Sequence, residues 1–477
     1  MSPRLVLLTL LLFPAACASH DATPGSDVSP DTAAPPNVIL IFADDLGYGD
    51  IGAFGSWIHR TPHLDRLAEE GLRLTSFYST SGVCTPSRAS LMTGAYPRRV
   101  NLDVNAAPYG ETGRQVLFPV AKRGLHPDEI TVAEVLKSQG YATACIGKWH
   151  LGDQPDFLPT RQGFDQYFGI PYSNDMNRAD VPLPLMRGER VIETWPDQNL
   201  LTGRYTEAAV TFIEAHRNAP FFLYLPHAMP HNPTAAGDAF RGRSKNGRYG
   251  DAIEEIDASV GTILETVERL GLAERTLVFF TSDNGAAVRW GGSNAPLRGF
   301  KGSTMEGGQR VPALAWWPGQ VPAGTVSDLL TTTMDIMPTV AALAGTAAPP
   351  DRVIDGHDIR PILFGEPDAT SPYDVFFYYM KDQLQAVRAG RWKLHLPLED
   401  KYTQIHRHET GRGRLMLIDL ASDLSENTNV AGEHPDVVER LLALADSARQ
   451  DLGEFDRPGR RQRPPGFIAD PVPLVEQ

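Results

Sequence analysis

Short uninterrupted apolar runs alternate along this chain with amphipathic stretches. Residues 38–43 (V-I-L-I-F-A) form a continuous run rich in β-branched side chains, as a strand buried on both faces requires. Runs at 141–146, 221–225 and 276–281 repeat the pattern. The segments between them have helical spacing and helix punctuation. One begins at Thr61-Pro62 and stops at Gly71, and one covers 131–138 before Gly140. A long amphipathic one covers 252–270. The alternation predicts an α/β fold with a large, mainly parallel sheet sandwiched by helices.

From about Pro372 the pattern changes. Residues 375–380, 385–387 and 391–396 read as short antiparallel strands, followed by an amphipathic helix over 435–452. The expected division is a main domain over 37–371 and a smaller C-terminal α+β unit over 372–455. An extended Pro- and Arg-rich tail over 456–477 comes last, and there is no internal repeat.

The residues just after each apolar run are as informative as the run. The first run ends in Asp44-Asp45, the second in Gly147-Lys148-Trp149-His150, the third in Pro226-His227 and the fourth in Ser282-Asp283-Asn284-Gly285. Open α/β sheets take ligands beyond the carboxyl ends of their strands. Four strands releasing polar residues at that edge converge on one site.

Composition narrows the chemistry. The 477 residues are 42% hydrophobic and 21% charged, enough for one large domain and a smaller one. A net charge of −14 argues against nucleic acid as a partner, so an anionic ligand needs a local cationic pocket. Cys17, Cys84 and Cys145 are too few for a disulfide framework. At the N-terminus, Arg4 precedes an apolar run over 5–13 that is too short to span a bilayer. Residues 1–18 therefore read as a signal peptide, and 19–36 as a flexible linker. Cys17 after two alanines resembles a bacterial lipoprotein site (lipoprotein signal 1–16), although Pro14 stands where an aliphatic residue is usual. Ordinary signal-peptidase cleavage fits Ala16-Cys17-Ala18 as well. Either exit gives an exported protein, periplasmic or held at the outer membrane by a lipid.

The densest chemical signal is V-C-T-P-S-R-A-S-L-M-T-G over 83–94. Pro86 suits a first helical position, Ser87 a capping role and Gly94 a stop. Cys84 then lies at a helix N-terminus, where unpaired N–H groups favour an anion. Arg88, one turn on, shares its face and can meet an oxyanion in bidentate fashion.

C-T-P-S-R followed by S-L-M-T-G resembles the signature of type I sulfatases, in which the cysteine is oxidised after translation to formylglycine. F-A-D-D-L-G-Y-G-D and T-S-D-N-G are similar to that family's metal-binding segments. The resemblance implies an alkaline phosphatase-like fold and a metal held by Asp44, Asp45, Asp283, Asn284 and the group made from Cys84. Oxygen ligands select Ca²⁺ or Mg²⁺ over zinc, and the resemblance implies Ca²⁺, with Mg²⁺ second. Asp50 is read as structural. The cationic set is Arg88, Lys148 and His150 in G-K-W-H-L-G, His227 in L-P-H-A-M-P-H, and Lys301 in L-R-G-F-K-G-S-T-M-E-G-G-Q-R. Ser173 in G-I-P-Y-S-N-D resembles a sulfate-contacting serine of the arylsulfatase A and N-acetylgalactosamine-6-sulfatase branch. His231 either faces the substrate or is structural, and His406, Arg407 and His408 read as a solvated basic turn.

By analogy with the family, the hydrated formylglycine attacks sulfur with Asp283 accepting its proton, and His227 and Lys301 assist departure of the alcohol. His150 then deprotonates the second hydroxyl so that sulfate leaves. The partners implied are an aryl sulfate or sulfated sugar and a formylglycine-generating maturation enzyme. A phosphonate monoester or phosphodiester hydrolase of the same superfamily is the nearest alternative. A non-catalytic, envelope-anchored binder of sulfated glycans is the other.

Overall fold

The structure is a computed structural model that describes residue 1 and residues 35–104, 115–177, 180–398 and 414–474. Pro35–Gln477 form one compact unit. Its centre is a ten-stranded sheet. Five neighbouring strands run parallel in the order Thr276–Ser282, Asn37–Ala43, Phe221–Pro226, Ala142–Ile146 and Gln166–Gly169. Antiparallel strands extend both sides, Ala313–Trp316 on one and Pro184–Arg187 on the other.

The first strand shows why the sheet is central. Every residue of Asn37–Ala43 is buried, so its side chains alternate between two apolar layers. Val38, Leu40 and Phe42 enter a cluster with the helices Cys84–Thr93, Val132–Ser138 and Ile336–Leu343. Ile39, Ile41 and Ala43 enter a second cluster with Pro62–Glu69, Leu201–Ala215 and Gly247–Arg269. Thr131 accepts from Glu134 N–H at 3.2 Å while the Glu134 carboxylate accepts from Thr131 N–H at 2.7 Å, a capping box that fixes one helix start.

The C-terminal strands Phe376–Met380, Gln383–Ala389, Trp392–His395 and Met416–Asp419 make a separate antiparallel sheet, covered by the helix Pro435–Asp451. Fully buried charges join it to the main sheet's loops: Lys393 Nζ lies 2.9 Å from both Glu306 and Glu426. Arg310 and Tyr78 also contact Glu306.

Two sequence expectations change. The long helix begins at Gly247, not Ala252, because buried Tyr249 anchors a first turn whose glycines conceal its helical character. The tail is not simply extended. Arg463 pairs with Glu129 at 2.6 Å, and Gly466–Phe467 pairs antiparallel with Arg123–Gly124. These are long-range polar contacts that no local periodicity announces. Residues 399–413, and with them His406, Arg407 and His408, lie outside the described residues, as do Cys17 and the rest of 2–34.

Candidate active site

The five parallel strands place their carboxyl ends at one edge. Ala43 pairs with Ser282, Phe42 with Pro226 and Cys145 with Tyr224, so the segments beyond them emerge side by side. Gly147 allows the closest of these approaches. Its φ is +136°, and a Cβ there would lie 1.8 Å from the Pro226 carbonyl oxygen. Lys148 N–H instead donates to that oxygen at 2.7 Å, which turns the lysine back towards the site.

Cys84 is the first residue of its helix, and Gly94 ends it with φ +64° and an N–H bond to Ser90 at 2.9 Å. Pro86 is therefore third, still within the turn whose N–H groups need no helical partner. Ser87 does not cap; its buried hydroxyl has no hydrogen-bond partner among the described residues. The Cys84 thiol donates to Asp44 Oδ1 at 3.5 Å and receives Lys301 Nζ at 3.6 Å. Burial pushes this thiol well up despite the opposing Lys148 and Lys301 charges. As it stands the sulfur is a protonated, weak nucleophile.

Around it, Lys148 Nζ contacts Asp44 at 2.5 Å and Ser173 Oγ at 3.2 Å. Lys301 Nζ lies 2.8 Å from the Asp45 carboxylate. Arg88 does not face open space: its Nε and one terminal nitrogen meet Asp283 Oδ2 at 3.2 and 2.8 Å, and its other terminal nitrogen meets the Lys148 carbonyl at 2.9 Å. Three carboxylates thus face three cations. Although burial opposes ionisation, Lys148, His231, Arg88 and Lys301 hold Asp44 well below the usual carboxylate range. Asp283 is pushed up by its own burial and by Asp44, against the pull of Arg88.

This donor set fits a divalent cation. Asp45 sits at φ +65°, with its N–H on Asp283 Oδ1 at 3.1 Å. Asn284 Nδ2 donates to Asp45 Oδ1 at 2.7 Å, which leaves the buried Asn284 Oδ1 with no partner among the described residues. Buried acceptors of this kind call for a ligand. With the charges otherwise balanced, a divalent ion would make the site net positive and attractive to an ester anion. Asp50 lies behind the cluster, accepting from Gly47 and Ser293 N–H and the Tyr249 hydroxyl, in keeping with its structural reading.

The histidines divide. His150, at φ +62°, holds the Leu117 carbonyl with Nε2 at 2.9 Å. A carbonyl only accepts, so that nitrogen carries the proton, and buried Nδ1 is left as a bare base without a partner among the described residues. Burial and Lys148 keep the ring well below its ordinary pKa. His227 is not drawn into the cluster. Its Nε2 sits 3.4 Å from Ser259, its ring packs beside Tyr205, and burial lowers its pKa to about 4. His231 takes the place expected for it, with Nε2 3.7 Å from Asp45 and a ligand atom within 4.8 Å of those of Asp44, Asp45 and Cys84. Both imidazoles come after one strand and sit four residues apart, so spacing alone could not choose between them. The geometry favours His231.

A family model described as Sulfatase matches residues 36–346, and one described as the C-terminal region of aryl-sulfatase matches residues 371–462. The chain belongs to the sulfatase family. It is a sulfuric ester hydrolase of the formylglycine-dependent kind. It is similar to N-acetylgalactosamine-6-sulfatase of Canis lupus familiaris, 43% identical over 380 residues, covering 76% of this chain and 72% of the relative. Arylsulfatase A of Homo sapiens is 40% identical over 461 residues, covering 86% and 87%. Among solved structures, Ps i-CgsB in complex with k-i-k-neocarrahexaose superposes with a TM-score of 0.74 at 29% identity, covering 87% of this chain and 92% of that one. The alkaline phosphatase-like sheet expected from the sequence is the fold observed. Among the described residues, no helix is long and apolar enough to cross a membrane.

Proposed function

We propose that this sulfatase removes sulfate from a sulfated carbohydrate, with Cys84 as the residue converted to formylglycine and Ca²⁺ as its ion. The observation that carries the reading is the position of Cys84, at a helix start between Asp44 and Lys301.

Asp44, Asp45, Asp283 and Asn284 Oδ1 would hold the ion, which supplies Lewis-acid stabilisation of a bound sulfate oxygen. Formylglycine supplies an oxygen nucleophile where the protonated thiol is a poor one. The remaining roles fall to the chain. Lys148 and Lys301 neutralise the ester's oxygens, and Ser173 holds Lys148 Nζ in line. Arg88 fixes Asp283 and, through the Lys148 carbonyl, the turn that carries the lysine. His150 Nδ1 is the base that takes a proton in the release step. His231, rather than His227, donates the proton to the departing alcohol, with Lys301 beside it.

The reading extends to the termini and to maturation. A formylglycine-generating enzyme of the host acts on Cys84, and the exported chain is periplasmic or carries a lipid at Cys17. Radiolabelled palmitate incorporation, lost in Cys17→Ser, tests the anchor. The catalytic reading is tested by mass spectrometry of the tryptic peptide 74–88 from protein made in its native host, alongside sulfate release from 4-nitrophenyl sulfate. Loss of sulfur with gain of a carbonyl oxygen supports it; an unmodified thiol in protein that turns over would end it.

A further inference from the structure

Outside the ion-paired cluster the surface carries a concentration of positive charge that ester cleavage does not use. Segment 240–248 (F-R-G-R-S-K-N-G-R) holds four basic residues in a chain of net charge −14. Arg241 pairs with Asp238. Arg243, Lys245 and Arg248 are exposed, and no carboxylate among the described residues pairs with their cationic groups. The loop is nonetheless fixed. The Asp251 carboxylate accepts from Gly242, Arg243 and Ser244 N–H at 2.7, 3.0 and 2.8 Å, so the cations are presented on an ordered turn.

Asn246, within this loop, joins three segments through one amide nitrogen. Its Nδ2 lies 2.8 Å from the Gly291 carbonyl and 2.9 Å from His59 Nε2. The first contact brings in Arg289 and Trp290, whose guanidinium and ring stack at 5.1 Å. The second brings in Trp57, two residues before His59. Trp57 is 83% exposed and Trp290 46%, unusual values for the largest apolar side chain.

The platform's segments are tied to the turns that carry the active-site cluster. Tyr249, next to Arg248, places its hydroxyl, which donates to Asp50, 3.1 Å from the Asp45 carbonyl oxygen as well. Lys301 N–H donates to the Ala286 carbonyl at 3.0 Å, just before the Arg289–Trp290 turn. A single sulfate ester is already met by Lys148 and Lys301. Additional cations on segments tied to those turns suit further anionic groups on the same ligand, and exposed indole faces suit the stacking of sugar rings.

We propose that Arg243, Lys245, Arg248 and Arg289, with Trp57 and Trp290, bind neighbouring sulfated units of a polysulfated glycan, one ester of which enters the cluster. This rests on the carbohydrate reading above. A phospholipid membrane seated on the same platform offers the cluster no sulfate ester, which favours the glycan over an anionic bilayer.

The test uses full-length Cys84→Ala protein and dextran sulfate, with poly-glutamate and phosphatidylglycerol vesicles for comparison, at roughly physiological salt. The expected result is binding to dextran sulfate that weakens at least about tenfold in R243S/K245S/R248S/R289S, with a shallower salt dependence. A separate W57A/W290A protein is expected to lose at least about threefold, as lost ring stacking implies. Undiminished binding in the charge variant overturns the proposal, as does wild-type binding to poly-glutamate or vesicles as tight as to dextran sulfate. A chain that releases sulfate from 4-nitrophenyl sulfate but ignores dextran sulfate loses the subsite and keeps the sulfatase reading. One that binds dextran sulfate but cleaves no sulfate ester keeps the subsite and loses the catalytic reading.

Discussion

Arg88 and Asp283 form a fully buried pair in which two guanidinium nitrogens share one carboxylate oxygen, at 3.2 and 2.8 Å. The arginine thereby sets which face of Asp283 remains for other partners. Arg88→Lys keeps the charge but loses the fork. Its metal affinity should fall roughly 10- to 100-fold, as for other residues that orient a ligand. Calorimetric titration of metal-stripped protein checks this, and unchanged affinity would remove Arg88 from that role.

Replacing Cys84 separates the two halves of the reaction. Cys84→Ala is expected to abolish turnover, and Cys84→Ser to trap at most one sulfate per chain because it lacks a second hydroxyl. Intact-mass measurement after incubation with 4-nitrophenyl sulfate reads both. Sustained turnover by either variant contradicts the mechanism.

Removal of the ion should inactivate the protein and lower its Tm in proportion to how tightly the folded site holds it. Treatment with EGTA followed by Ca²⁺ or Mg²⁺ add-back distinguishes the ions. Ca²⁺ is expected to restore both activity and Tm at the lower concentration.

His231 and His227 should part company in kinetics. His231→Asn is expected to slow alkyl sulfates at least about tenfold more than 4-nitrophenyl sulfate, whose leaving group needs little protonation. His227→Asn should leave that ratio unchanged, since His227 meets Ser259 and Tyr205 rather than the cluster. An equal ratio change in both variants would reinstate His227.

His227 carries a separate, thermodynamic signature. Its folded pKa of about 4 lies below the unfolded value, so the folded state disfavours the proton. Its stability contribution is complete above about pH 6.5 and is lost as pH falls towards 4, on the order of 3 kcal/mol. Denaturant midpoints across that window should fall less steeply in His227→Asn than in the wild type.

The parallel core was legible because strands buried on both faces read as unbroken apolar runs, as residues 38–43 do. Much of the buried cluster was legible too, because Asp44-Asp45, Lys148 and Asp283-Asn284 come directly after such runs. The parts that escaped are of another kind. The choice between His227 and His231 depends on how the chain turns after Pro226, which residue types do not encode. Arg88 read as an anion receptor, yet a buried guanidinium beside Asp283 is bound to pair with it. The platform around Asn246 joins segments near 57, 246 and 290, so its cations and tryptophans look unrelated along the chain. The contacts of the tail with Glu129 and Arg123–Gly124 have the same long-range origin.

The central strands lie in an order different from that of their synthesis. Asn37–Ala43 is seated between Phe221–Pro226 and Thr276–Ser282, so the strand made first has neither neighbour until residues 221–282 exist. During that interval the Cys84 segment has no finished sheet to close over it; afterwards the residue is 2% exposed. If Cys84 is matured as proposed above, access for the maturation enzyme would be confined to the chain before it folds. Each molecule's fate would then be decided once, and a folded batch would carry a fixed ratio of live to inert protein that no later treatment with that enzyme raises.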